Sequence, residues 1–291
     1  MITGSLVAIV TPMAGDGSVD HAALARLIDF HVDAGSDGLV VAGTTGESAT
    51  LTKPEHVGLL AAAVEMAAGR IPVIAGTGSN STAQTIELSR EVDALGVQGF
   101  LVVTPYYNKP TQEGLYRHFV AVADAVAQPV MLYNVPGRTA VDMQPATVGR
   151  LAEHSNIAGI KEATGEVDRV AELRAQCGPE FGLYSGDDAT SRAFMLAGGN
   201  GVVSVTANLA PAAMAAMCRA ALRGDAERAG QLDASLTALH RDLFIEPNPT
   251  PVKWGLERLG LVPGGIRLPL LPLSPQHRNA LEAALAQAGL L

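Results

Sequence analysis

Four lysines occur in the 291 residues, and their settings differ. Lys53 and Lys109 each precede a proline in loop-like sequence, and Lys253 follows a proline-rich corner and opens a helical stretch. Only Lys161 closes an apolar run, Ile157-Ala158-Gly159-Ile160-Lys161. Burial disfavours a charged ammonium, and a neutral amine can attack a carbonyl to form a Schiff base. The bland alternative is a lysine neutralised by a neighbouring carboxylate. Lysines are almost never fully buried without such a reason or a functional one.

Other segments carry chemistry of their own. Tyr133 ends a second apolar run, and a phenol there can donate and accept a proton. Arg138 follows closely and can hold a carboxylate through two parallel hydrogen bonds. In Gly43-Thr44-Thr45-Gly46-Glu47, two glycines bracket two hydroxyls. Such a loop can turn backbone N–H and O–H groups toward an anion, or merely form a turn and cap the next helix. Tyr106 and Tyr107 stand together in Thr104-Pro105-Tyr106-Tyr107-Asn108, where packing or an interface is an equally good account. Ser185-Gly186-Asp187-Asp188 and the glycine-rich residues 198–204 give weaker signals. No HExxH, Walker A or clustered His/Cys pattern appears, so neither a metal nor a nucleotide cofactor is expected.

Such residues need elements to hold them. Short apolar runs at 6–10, 38–41, 72–75, 99–103, 129–133, 157–161, 181–185 and 201–205 alternate with longer helical patterns, among them 20–34, 54–68, 82–95 and 112–127. Runs apolar on both faces suit a buried parallel sheet. The pattern predicts an α/β fold, a (β/α)8 barrel of the TIM type, over residues 1–224, with a C-terminal helical extension over 225–291. A doubly wound sheet is the alternative. It usually has GxGxxG after its first strand, where this chain reads VTPMAGDG. In such barrels the site lies at the C-terminal ends of the strands. Lys161 shares strand parity with Ile157 and Gly159, so its amine should point into the barrel mouth, and Tyr133 shares parity with Met131 and should face the same side of the barrel wall.

Composition narrows the partners. With 48% hydrophobic and 17% charged residues, the chain can build a large core and is not disordered. A net charge of -9 argues against nucleic acid but leaves an anionic substrate open, since a local pocket can oppose the global sign. Cys177 and Cys218 lie far apart and outside any CxxC pattern, as buried thiols of a reducing compartment would. The first residues read as a strand rather than a signal peptide, and no stretch reaches ~18 uninterrupted apolar residues. A cytoplasmic protein with no membrane contact is expected.

Taken in order, GTTGE (43–47), TPYYNKP (104–110), YNVPGRT (133–139), GIKEATG (159–165), YSGDD (184–188), GVVSVTAN (201–208) and EPNPTPVK (246–253) resemble the dihydrodipicolinate synthases, also called 4-hydroxy-tetrahydrodipicolinate synthases. The resemblance runs from the first strand to the C-terminal helices. It implies a lyase of lysine and diaminopimelate biosynthesis. Such an enzyme condenses pyruvate with L-aspartate 4-semialdehyde through a lysine Schiff base, without an external cofactor. It also implies a homotetramer built as a dimer of dimers.

The resemblance implies roles as well. Lys161 would bind pyruvate covalently, and Tyr133 would move protons. Thr44 would link Tyr133 to Tyr107 of a neighbouring subunit. Thr45 would hold the pyruvate carboxylate, Val203 and Gly186 would line its pocket, and Arg138 would receive the carboxylate of the semialdehyde. Related sugar-acid lyases share barrel, lysine and tyrosine but differ after the tyrosine. Here the arginine of Val135-Pro136-Gly137-Arg138 suits a small dicarboxylate-like adduct. Ser48, Ala49, His56, Asn80 and Tyr106 match an inhibitory L-lysine site at a subunit interface. Lys53 and Gln84 depart from it, where sensitive relatives commonly carry a histidine and an acidic residue. Both changes disfavour a dibasic ligand, so weak or absent lysine inhibition is expected.

Overall fold

A computed structural model describes residues 2–291. The eight runs form parallel strands: β1 (Gly4–Ala8), β2 (Gly38–Val41), β3 (Val73–Gly76), β4 (Gly99–Val103), β5 (Val130–Asn134), β6 (Ile157–Glu162), β7 (Gly182–Ser185) and β8 (Gly201–Ser204). Each pairs with the next, and β8 pairs back to β1, so the sheet closes into a barrel. Closure removes both sheet edges and leaves every strand buried on two faces, which is why the strands read as apolar runs.

Two packed layers follow from strand alternation. Leu6, Ala8, Val40, Ile74, Leu101, Met131, Tyr133, Tyr184 and Val203 fill the barrel. Their neighbours Val7, Leu39, Val73, Phe100, Leu132, Ile160 and Val202 face outward into the larger core beneath the helices. Those helices are α1 (His21–Asp33), α2 (Lys53–Ala67), α3 (Thr82–Asp93), α4 (Gln112–Ala123), the short α5 (Pro136–Thr139), α6 (Pro145–Ala152), α7 (Arg169–Cys177), α8 (Asp188–Leu196) and α9 (Pro211–Leu222). Local signals set several starts. At α2, Thr52 accepts from the Glu55 N–H while the Glu55 carboxylate accepts from the Thr52 N–H, a reciprocal capping box followed by proline in the first turn. Ser81 caps α3 through the Gln84 N–H. α4 ends at Ala123, short of the expected 127, because Asp124 takes the C-cap position and the chain turns toward β5.

One expectation about strand parity needs correcting. Ile157 does not share the inward face with Lys161; it belongs to the outer core. The β5–β6 register shifts between Val130 and Met131, so that Val130 opposes Ile157 but Met131 opposes Gly159. An extra residue at this point flips the alternation. Beyond the shift Gly159 and Lys161 keep the inward phase.

After α9 come α10 (Ala226–Ala234), α11 (Thr237–Asp242), α12 (Thr250–Arg258) and α13 (Pro275–Gln287). α10 packs on α9, and α11 and α12 pack on α13. The corner before α12 folds back over the barrel mouth. There Asn248 donates to Thr45 Oγ1 at 3.0 Å, and Lys253 pairs with Glu47. Among the described residues no helix is long and apolar enough to cross a membrane.

Candidate active site

The C-terminal ends of β5 and β6 bring Tyr133 and Lys161 directly opposite one another in the sheet register. Both point into the barrel. Lys161 Nζ lies 4.2 Å from the centre of the Tyr133 ring, a cation–π distance for an ammonium. Lys161 is only 6% exposed, and among the described residues no carboxylate forms an ion pair with it. The next residue, Glu162, alternates to the opposite face of β6 and is held there by Asn134 and the Thr164 N–H. The phenol oxygen of Tyr133 has no hydrogen-bond partner among the described residues and is free to serve a ligand.

Lys253 is the instructive contrast. It too is buried, with its side chain 3% exposed, but it is paired with Glu47, whose side chain is fully enclosed. Burial pushes its ammonium below the ordinary lysine value, and the Glu47 carboxylate opposes that shift. Sequence reasoning placed Lys253 at the opening of a helix and missed its burial. The signal was Glu47 at the end of GTTGE, whose partner lies two hundred residues downstream and is invisible to local pattern. Of the two buried lysines, Lys253 is paired with a carboxylate, and Lys161 has no ion-pair partner among the described residues.

The GTTGE loop is a series of tight turns. The N–H groups of Gly46, Glu47 and Ser48 bond to carbonyls of Gly43 and Thr44 within the loop itself. The N–H groups of Gly43, Thr44 and Thr45 have no partner among the described residues, so fewer donors are free than the five-residue loop contains. Thr45 is buried, and its hydroxyl accepts from Asn248, which leaves its own hydrogen available to a carboxylate. Thr11 steadies the loop by donating to the Gly46 carbonyl at 2.6 Å. Asn248 also accepts from Arg138 through its main-chain oxygen at 3.3 Å. A single residue of the C-terminal corner thus touches Thr45 and Arg138; the sequence marked it only as part of EPNPTPVK (246–253) and gave it no role.

Val203 is buried in the barrel lining, opposite Leu6 in the sheet. Gly186 lies against Lys161. A β-carbon there would sit 2.6 Å from the Ala163 β-carbon and 2.9 Å from Lys161 Cε. Gly186→Ala is therefore expected to displace the lysine chain, the softest of its neighbours. A shift approaching 1 Å lowers kcat/KM by about 10²-fold. Steady-state rates on the folded variant check this, and unchanged rates would mean that the lysine has slack.

A cavity of about 660 Å³ runs past the mouth, walled by Thr44, Val103, Val135, Arg138 and Asn248 at one end and by Ser48, Ala49, Lys53, His56, Gln84 and Glu87 at the other. Lys161 and Tyr133 are not among the residues that wall it. Ser48, Ala49, His56 and Tyr106 thus come together, whereas Asn80 lies outside this wall and accepts from Asn108 through its carbonyl. His56 is buried and bonds through Nε2 to the Gly76 carbonyl; burial pushes it below the ordinary histidine value, toward the neutral ring. Lys53 is not a free cation, for its amine bridges Glu87 at 2.6 Å and Glu91 at 2.8 Å.

Tyr107 does not join the site within this chain. It is 88% exposed, and its backbone holds φ +74°, a left-handed conformation that is costly for a bulky residue. A direct hydrogen bond between Thr44 and Tyr133 is also absent among the described residues.

The arrangement is an enclosed lysine without an ion-pair partner, a phenol at one side, a turn with unpartnered N–H groups at the rim and an arginine at the entrance. A model of the dihydrodipicolinate synthetase family matches residues 1–288. The chain belongs to that family. Two relatives named 4-hydroxy-tetrahydrodipicolinate synthase, from Methylococcus capsulatus and Thioalkalivibrio sulfidiphilus, are each 58% identical over 100% of this chain and over 100% and 99% of their own. A crystal structure of the chloride-inhibited dihydrodipicolinate synthase from Acinetobacter baumannii, complexed with pyruvate, superposes with a TM-score of 0.99 at 50% identity over 100% of both chains. The barrel and the family expected from the sequence are both borne out.

Proposed function

We propose that this chain is a 4-hydroxy-tetrahydrodipicolinate synthase, a Schiff-base lyase condensing pyruvate with L-aspartate 4-semialdehyde on the diaminopimelate route to lysine. One observation carries the reading: a buried lysine with no carboxylate partner faces a tyrosine at the mouth of a closed barrel. Pyruvate would enter with its carboxylate on the free N–H groups of Thr44 and Thr45 and on the Thr45 hydroxyl, with Val203 and Gly186 as walls. Lys161 attacks the keto carbon, and loss of water gives an iminium. That electron sink acidifies the adjacent methyl group, and loss of a proton leaves an enamine. Tyr133 moves the protons of these steps. The enamine attacks the aldehyde of the second substrate, whose carboxylate rests on Arg138. The amino group of that substrate then closes on the imine carbon and releases Lys161. The lysine itself supplies the electron sink.

The Tyr133 relay is completed, in this reading, by Tyr107 of a second subunit within a homotetramer, a dimer of dimers. The near-complete exposure of Tyr107 and its strained backbone support this, since strain of that kind persists where a function or an interface uses it. The enzyme would act in the cytoplasm. L-Lysine would be at most a weak effector. The Lys53 amine already occupies Glu87 on the cavity wall and also pairs with Glu91, and Gln84 offers no carboxylate to a bound amine. A titration is expected to give half-inhibition only above the millimolar range, and sub-millimolar inhibition would overturn this.

The test of the function is a coupled assay with pyruvate and L-aspartate 4-semialdehyde, with N-acetylneuraminate cleavage as the control. Faster cleavage of the sugar acid would move the chain to the lyases.

A further inference from the structure

We infer that the outward-facing cluster of Asn134, Asp142, Glu162 and Arg169 is a positioning device for the reaction, fixing β5 on β6 behind the reactive pair and clamping the loop that carries Arg138. This rests on the reading of Lys161 as the Schiff-base lysine. Strand alternation places Asn134 and Glu162 one step from Tyr133 and Lys161, and Asp142 and Arg169 join them from the loop before α6 and the start of α7. Tyr133 opposes Lys161 on the inner face, and Asn134 opposes Glu162 on the outer face.

The Asn134 amide is fully used. Its nitrogen donates to Glu162 Oε2 at 3.0 Å and to Asp142 Oδ1 at 2.8 Å, and its oxygen accepts from the Met143 N–H at 2.9 Å. The loop between Asn134 and Met143, with Arg138 near its middle, is thus pinned at both ends by one side chain. Arg169 then forks onto Asp142, with Nη1 and Nη2 at 2.8 and 2.5 Å from the two carboxylate oxygens, and lies 3.6 Å from Glu162. Glu162 also accepts from the Thr164 N–H at 2.8 Å. Its main-chain oxygen accepts from the N–H of Gly186, the residue that packs on the Lys161 chain.

Asn134 is fully buried and Glu162 nearly so. Well-packed apolar side chains could stabilise such a place equally well. What a saturated polar network adds is a single allowed geometry, because any slip of one strand against the other leaves buried groups unpaired. Here that geometry decides where the phenol stands relative to the amine and where the guanidinium of Arg138 can reach.

The test uses Asn134→Ala and Arg169→Lys, the second keeping charge but losing the fork. Rates are taken at a temperature where circular dichroism shows each variant folded. Because the network fixes geometry rather than binding pyruvate, kcat should fall by about 10- to 100-fold while KM for pyruvate changes by less than about threefold. KM for the semialdehyde should rise, as the Arg138 loop loosens. Asp142→Asn, at a partly exposed carboxylate, gives the same reading should Arg169→Lys fail to fold. A network that served stability alone would lower the melting temperature and leave kcat per folded molecule unchanged, and that result overturns the inference. Borohydride trapping of the unaltered enzyme with pyruvate separates the two levels. Absence of an adduct there overturns the Schiff-base reading and this inference with it.

Discussion

Lys161→Arg is expected to fold as the parent does and to lose activity by roughly 10³-fold or more, the scale of removing a covalent nucleophile while binding persists. A guanidinium cannot condense with a ketone to give the imine. Folding should survive because the dominant core lies between strands and helices, away from Lys161. Within the barrel the lysine chain lies over the Tyr133 ring and close to Gly186. Coupled rates together with a thermal melt decide the matter. A variant with a normal melt and more than about a tenth of the parent kcat would remove Lys161 from the chemistry.

The second large effect concerns stability and the other buried lysine. Lys253→Met removes the ammonium paired with Glu47 and leaves an enclosed carboxylate with only the more distant Arg267 charge among the described residues. Breaking a buried pair from one side costs about 3–5 kcal/mol. In a chain of this size that lowers the melting temperature by on the order of 10 °C. Glu47 retains the Arg267 N–H at 3.1 Å, which softens the loss without replacing the charge. A Glu47→Gln, Lys253→Met double variant should recover much of the loss, because no charge is then stranded. Glu47 itself sits at φ +55° in the turn that would hold the pyruvate carboxylate, so the single variant should also bind pyruvate less well. Chemical denaturation of the single and double variants measures this, and a loss below about 1 kcal/mol would mean that the pair is solvated rather than buried.

These two lysines show where sequence reading succeeded and where it stopped. The strands were legible because a closed parallel barrel imposes apolar side chains on both faces, and Lys161 stood out as the one charge ending such a run. The start of α2 was legible because a capping box is local chemistry, Thr52 with Glu55. Parity at Ile157 failed because a register shift is a property of two strands together. The same limit hid Lys253, Asn248 and the Asn134–Glu162 cluster, whose meaning comes from partners far along the chain. Tyr107 was ambiguous as one of a tyrosine pair; its near-complete exposure and left-handed backbone separate it from Tyr106, which is less exposed and lines the cavity.

The account stands on the free amine of Lys161, and one measurement addresses it directly. The protein is incubated with pyruvate, reduced with borohydride, digested and read by mass spectrometry. The expected result is a single stable pyruvate-derived adduct on the peptide bearing Lys161, with Lys253 unlabelled. An adduct on Lys253 or another lysine, or none at all, would contradict it.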